Sequence, residues 1–398
     1  MDNVLAQRIS LMQESSTLKM AKMSRELASK GIDIVNLSLG EPDFDTPDHI
    51  KKAAIDAINN NFTHYPPVSG YPELRQAVAD KFLRENGLSY NASQTIVSTG
   101  AKQSIINVLL SILQEGDEVI IPAPFWVSYP EMVKFSEAKP VFVFAGIEQN
   151  FKITPEQLEK AITPQTKAFI YSNPNNPTGS FYNHEELKGL AEVLARHPKV
   201  HIVSDEIYEH INYVGGHASL ASFPEIFDRT IVINGVSKSF AMTGWRIGYA
   251  AGPQNIINAC EKIQGQVTSG ACTISQKAAY AGLTSDMEPT RKMAAAFHER
   301  RDFIVDKLKS VPGIISNTPQ GAFYVFPEVS SYFGKQYNGE TISNSEELSL
   351  YLLREGHVSM VSGTGFGAPN NIRISFAASK ETIEKGIDRM TEALSKLK

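Results

Sequence analysis

"TIVINGVSKSFAMTGWRIGYAA", Thr230–Ala251, is the stretch on which the fold turns. TIVIN is short, apolar and β-branched, and reads as a buried strand. Ser237 and Lys238 follow just past its carboxyl end, and a second run, Arg246–Ala251, reads as the next strand. A lysine in such a place is either a solvated loop charge or a nucleophile whose pKa burial has lowered. The neighbouring stretches have to decide between the two.

Outward from this stretch the same kind of run recurs at Thr95–Ser98, Glu118–Ile121, Ala168–Ser172 and Val200–Ser204. Helical patterns lie between several of them. Ala101–Leu113 sets Ile105, Ile106, Leu109, Leu110 and Leu113 at helical spacing, and Glu185–Ala195 is a second such stretch. Near-continuous apolar strands separated by helices predict an α/β fold with a mostly parallel sheet covered on both faces. Ligands of such sheets bind just past the strands' carboxyl ends.

The carboxyl-terminal part reads as a smaller α+β unit. A long helix over Arg291–Lys309 precedes "GAFYVFPEV" (Gly321–Val329), "NIRISFAA" (Asn371–Ala378) and a closing helix to Leu397. A helix (Leu18–Lys30) and a short strand (Ile34–Leu39) near the amino end are expected to pack with that unit. The predicted division is 1–47 for an arm and part of the small domain, 48–288 for the large domain and 289–398 for the small one.

Composition narrows the classes. At 398 residues the chain has room for two or three subdomains of ~100–150 residues each. A net charge of −5 gives no basic field for nucleic acid. Cys260 and Cys272 match no zinc spacing and are too few for a disulfide scaffold. They are expected to be two buried thiols in a reducing cytoplasm. The opening MDNVLAQRISLMQESS is too polar for a signal peptide, and no apolar run nears the ~18 residues of a membrane span.

The strand ends carry the chemistry. Asp205 closes VHIVSD, where an ionised carboxylate is costly unless it meets a cation. Taken alone, it reads more simply as a helix cap. Tyr208 stands three residues on. "SNPNNPTG" (Ser172–Gly179) follows another buried strand as a rigid turn and offers Asn176 as a wall of a polar pocket. Gly100, Ala101 and Lys102 join a strand to a helix whose free amides suit a phosphate, although the P-loop pattern is absent. Adding Ser237, Lys238 and Arg246, one sheet edge gathers a phosphate cradle, an acid, a phenol, an amide and an amine. Pyridoxal phosphate accounts for every member of that set: it needs an amine for its Schiff base, an acid opposite its ring nitrogen and a phosphate site. A nucleotide accounts for the phosphate donors but not for the lysine.

With these residues in place the chain resembles the class I aminotransferases, which are fold type I pyridoxal phosphate enzymes. Within them it is most similar to the bacterial aspartate aminotransferases of subgroup Ib. The resemblance runs through "LSLGEPDFDTP" at Leu37, "YPPVSGYPELR" at Tyr65, "PFWVSYPEM" at Pro124, "SNPNNPTG" at Ser172, "VSDEIYEH" at Val203, "SKSFAMTGWRIGY" at Ser237 and "NIRISFA" at Asn371. It implies a large domain with a seven-stranded sheet and a ping-pong transfer between amino acids and 2-oxo acids.

The resemblance also implies roles. Lys238 is the Schiff-base lysine and proton shuttle, and Asp205 pairs with the ring nitrogen. Tyr208 and Asn176 bond the ring oxygen, and Trp126 stacks on the ring. Gly100, Ala101, Lys102, Ser237 and Arg246 hold the phosphate. Tyr65 reaches the cofactor of a neighbouring subunit, so a homodimer is expected. Arg373 clamps the substrate α-carboxylate, with the Gly40 amide nearby. Lys102, with hydroxyls from the segment holding Ser15 and Thr17, would meet a distal carboxylate. Each has a plainer reading: a packed Trp126, a loop Tyr65, a surface Lys102, an ion-paired Arg373. A lyase on the same fold and a cofactor-binding regulatory module are the alternative functions, and the second lacks a basic recognition helix.

Overall fold

The computed structural model describes residues 4, 6–10, 12, 14 and 16–398. Its first eight strands are β1 (Val35–Asn36), β2 (Thr95–Ser98), β3 (Glu118–Ala123), β4 (Lys139–Phe144), β5 (Thr166–Ser172), β6 (His201–Asp205), β7 (Thr230–Gly235) and β8 (Gly248–Ala251). Seven of them form one sheet in the order β2-β8-β7-β6-β5-β3-β4. The pairs from β4 through β7 are parallel, and β8 alone runs against both neighbours. The parallel strands therefore end on one side, as the sequence pattern predicts.

Successive strand residues face opposite cores. Ile231 and Ile233 of β7 pack with Ile105 and Leu109 of helix Ala101–Ile112 and Ile257 of helix Gln254–Val267. Val232 between them packs with Val78 and Phe82 of helix Pro72–Asn86 and with Ala278 of helix Thr273–Thr284. Burial on both faces explains why these strands read as unbroken apolar runs.

A second unit closes the chain. Its antiparallel sheet orders Val361–Ser362, Ile372–Ser375 and Tyr324–Val325, over a core that includes Phe297, Phe323, Leu352 and Met390. β1 pairs in parallel with Val358–Ser359, and Ser24 of helix Ser16–Ala28 bonds Ser359 at 2.7 Å. The amino-terminal segment thus does pack with the tail.

Four expectations need correction. β4 was not anticipated: it opens with Lys139-Pro140 and lies at the sheet edge, with Phe142 and Phe144 about half exposed. Proline is tolerated at such an edge because its missing N–H faces solvent. Arg246 does not start a strand. It has φ +56°, in the left-handed region, and β8 begins two residues later. The small-unit strands are also shorter than their apolar runs. Finally, Cys260 is buried but Cys272 is exposed, at the turn that opens helix Thr273–Thr284. Among the described residues no helix is long and apolar enough to cross a membrane.

Candidate active site

The carboxyl ends of the parallel strands open onto a cavity of about 380 Å³. β6 delivers Asp205 as its last residue, 4% exposed. Its Oδ2 accepts from the Tyr129 hydroxyl at 2.6 Å and its Oδ1 from the Ile207 amide at 3.3 Å. No helix begins directly after Asp205, so it is not a helix cap. Burial raises its carboxyl to about 6, although both hydrogen bonds pull the other way.

Lys238 comes from the loop after β7 and lines the same cavity. Its Nζ donates to the Gly40 carbonyl at 2.5 Å. Burial lowers the amine to about 8. The Arg373 and Arg246 charges add to that shift, and Glu41 and Asp205 oppose it. The lysine of the opening stretch is not a solvated loop charge. Gly40 itself lines the cavity beside Arg373.

The turn after β5 is held by its own asparagines. Asn175 accepts from Thr178 at 2.9 Å, and Asn173 donates to the Tyr182 and Ala218 carbonyls. Asn176 is left to face the cavity, where its Oδ1 accepts from Arg373 Nη1 at 3.0 Å. Arg373 is 2% exposed and also donates to the Ser38 carbonyl at 2.8 Å. Its guanidinium lies on the Tyr324 ring, 4.4 Å from the centroid, and among the described residues Nε has no partner. A buried guanidinium with an unpartnered donor suits an anion.

At the other end, β2 leads through Gly100 into helix Ala101–Ile112. Gly100 has φ +81°, and a Cβ there would overlap the Arg246 guanidinium. Only glycine lets the arginine lie against this turn. Ala101, Lys102, Ser237 and Arg246 all line the cavity. Trp126 forms a side wall, with Lys102 Nζ 5.0 Å from its ring. Tyr208 lines it too, its hydroxyl 2.9 Å from that of Tyr324.

Thr17 reaches the cavity from the amino-terminal helix, whereas Ser15 lies outside the described residues. Tyr65 is 95% exposed and is not part of its own chain's cavity. Sequence reasoning missed Tyr129, Tyr324, Glu41 and Arg25, all of which line it. Arg25 had a usable signal: with Thr17 and Ala21 it repeats every fourth residue along one helix face.

A profile of the family described as aminotransferase class I and II matches residues 32–390. The chain belongs to this family. A probable aspartate/prephenate aminotransferase of Rhizobium leguminosarum bv. phaseoli is 49% identical over 392 residues, 97% of each chain. The crystal structure of the aspartate aminotransferase from Rhizobium meliloti matches with a TM-score of 0.95 at 40% identity, over 99% of both chains. The aspartate aminotransferase from Thermus thermophilus with maleate matches at 0.92 and 41% identity, over 98% of this chain and 99% of that one. The seven-stranded, mostly parallel sheet of this aminotransferase is accordingly the fold type I architecture expected from the sequence. The enzyme acts on amino acids and oxo acids, as its family does.

Proposed function

We propose that this aminotransferase works with pyridoxal 5'-phosphate and moves the amino group of aspartate to 2-oxoglutarate in two half-reactions. The observation that carries the reading is a half-buried amine, Lys238, sharing one cavity with a buried acid, Asp205. The residues present fit the cofactor. A phosphate would meet the first amides of helix Ala101–Ile112, Ser237 and Arg246, beside the Gly100 turn, where a Cβ would displace the Arg246 guanidinium. Residues 48–288 would form the cofactor-holding domain, with 1–47 and 289–398 making the smaller one.

When bound, the cofactor withdraws electrons from the substrate α-carbon. Asp205 would hold the ring nitrogen protonated by its negative charge, while Tyr208 and Asn176 would bond the ring oxygen. Trp126 would cover one face and exclude water. The Lys238 Nζ would hold the cofactor covalently, then, once displaced, take the proton from the substrate α-carbon. A base with a pKa of about 8 suits that task near neutral pH. Arg373 would orient the α-carboxylate with its guanidinium.

Aspartate as donor is supported by Lys102 and Thr17 at the far wall. It is also supported by the Thermus thermophilus relative, whose structure is one with maleate, a four-carbon dicarboxylate. Prephenate is a second acceptor, favoured by the name of the Rhizobium leguminosarum relative. The exposure of Tyr65 supports a homodimer in which it serves the partner's site. A cytoplasmic setting fits two free thiols.

The test is a panel of aspartate, alanine and phenylalanine with 2-oxoglutarate, plus prephenate as acceptor, with the oxo acids followed directly. Lys238→Ala should lose transamination by several orders of magnitude and lose the borohydride-fixed adduct at that position. Full turnover in that variant would remove Lys238 from the chemistry.

A further inference from the structure

One fully buried side chain with no role so far touches the acid of the site. Tyr129 lies in helix Ser128–Phe135 and is 1% exposed. Its hydroxyl donates to Asp205 Oδ2 at 2.6 Å, and among the described residues it is the only side chain that donates to that carboxylate. Trp126 packs edge-on against its ring, with centroids 5.5 Å apart at 86°. The same ring thus braces a cavity wall and an anion.

We propose that Tyr129 is a positioning residue that fixes the plane of the Asp205 carboxylate and keeps it ionised for the cofactor's ring nitrogen. The inference rests on the cofactor reading above. A carboxylate this deeply buried loses its hydration, which disfavours the charge. The groups facing it divide. Glu206, next in the chain, repels it; Lys238 across the cavity attracts it; and Tyr208 shares the cavity. Among the described residues only Tyr129 and the Ile207 amide offer its carboxylate hydrogen bonds. Tyr129 stays a donor throughout, because burial and the Asp205 charge push its phenol well above the ordinary tyrosine range. The Ile207 bond to Oδ1 and the Tyr129 bond to Oδ2 fix both oxygens, so the carboxyl plane cannot turn freely.

The plainer role is packing against Trp126, and a double-mutant cycle separates the two. Tyr129→Phe keeps the ring and removes one oxygen. It is made in the full-length protein with Asp205 intact and again with Asp205→Asn, and pyridoxal phosphate binding is titrated against pH. The expected result with Asp205 intact is weaker binding, on the order of ten- to a hundred-fold for a lost hydrogen bond to a charge. The pH at which affinity falls off in acid should also move up. With Asn at 205, the same change should alter binding less than about two-fold.

Unchanged affinity and pH profile in Tyr129→Phe would overturn the inference. So would an equal loss in both backgrounds, which is the mark of packing alone. If the single variant does not fold, the pair decides. Recovery of the fold with Asn at 205 supports the inference, since removing the charge removes the need for its donor; failure in both overturns it. A wild-type protein that takes up no pyridoxal phosphate would overturn the cofactor reading itself, and this inference with it.

Discussion

Lys238 and Asp205 are shifted in opposite senses by the same loss of water. The Lys238 amine titrates at about 8 and attacks only when neutral. Capture of pyridoxal phosphate by the cofactor-free protein should therefore speed up as pH rises and level off above about 8. A stopped-flow rate that stays flat across that range would argue against Lys238 as the amine. Asp205 has its folded pKa raised to about 6 from 3.8. The folded state therefore holds this proton more tightly, and the resulting stability is present in acid and lost as pH rises through about 6. At neutral pH the buried charge then costs about 3 kcal/mol. Asp205→Asn should make the cofactor-free protein more stable by up to that amount at neutral pH and by nothing in strong acid, as read by urea unfolding. Equal gains at both would contradict the sign. Lys238, Asp205 and Asn176 were legible in the sequence because each ends or follows an apolar strand, and parallel strands bring their ends together. Tyr129 and Tyr324 were not, because a helix pattern and a core strand account for them locally. Only the assembled fold turns them toward the cavity.

The turn that carries Asp205 and Tyr208 is pinned from behind. Glu209, 6% exposed, pairs with Lys81, which is fully buried on helix Pro72–Asn86, and accepts from Asn86 at 2.9 Å. Burial alone would raise this carboxyl, but Lys81 holds it far below the ordinary range. Glu206 on the same turn accepts from Ser204 at 2.7 Å and meets His217 at 2.8 Å. Lys81→Met strips the buried Glu209 of its principal counter-ion, leaving it Asn86 and the neighbouring His210, and should cost about 3–5 kcal/mol in urea unfolding. Lys81→Met with Glu209→Leu should recover most of that loss. A single variant as stable as the parent would show that the pair does not hold the turn. Elements with strong periods were legible in the same way: β2, β5 and β7 match their predicted ranges within two residues. β4 was hidden by its proline and by lying at an edge where Val143 is its only buried residue. Arg246 was drawn into the next strand because a left-handed residue leaves no mark in an apolar pattern.

At the scale of the whole molecule, Tyr65 supplies the test of assembly. If it serves a partner's site, a Tyr65→Ala subunit and a Lys238→Ala subunit should complement each other. In such a hybrid one site carries both lesions and the other none, so activity should return to about half that of the parent per hybrid dimer. Subunits that stay inactive when mixed and refolded would speak against shared sites. The exposure of Tyr65 was not legible, since a tyrosine between His64 and Pro66 carries no sign of what covers it. The cavity draws its buried amine, its acid and the Gly100 turn from between Gly100 and Arg246, whereas its buried guanidinium arrives only at Arg373. A polypeptide leaves the ribosome amino end first, so on the proposed reading the cofactor's lysine is synthesised long before the arginine proposed to select its substrate. A message cut short between the two would then encode the amine without its proposed gatekeeper.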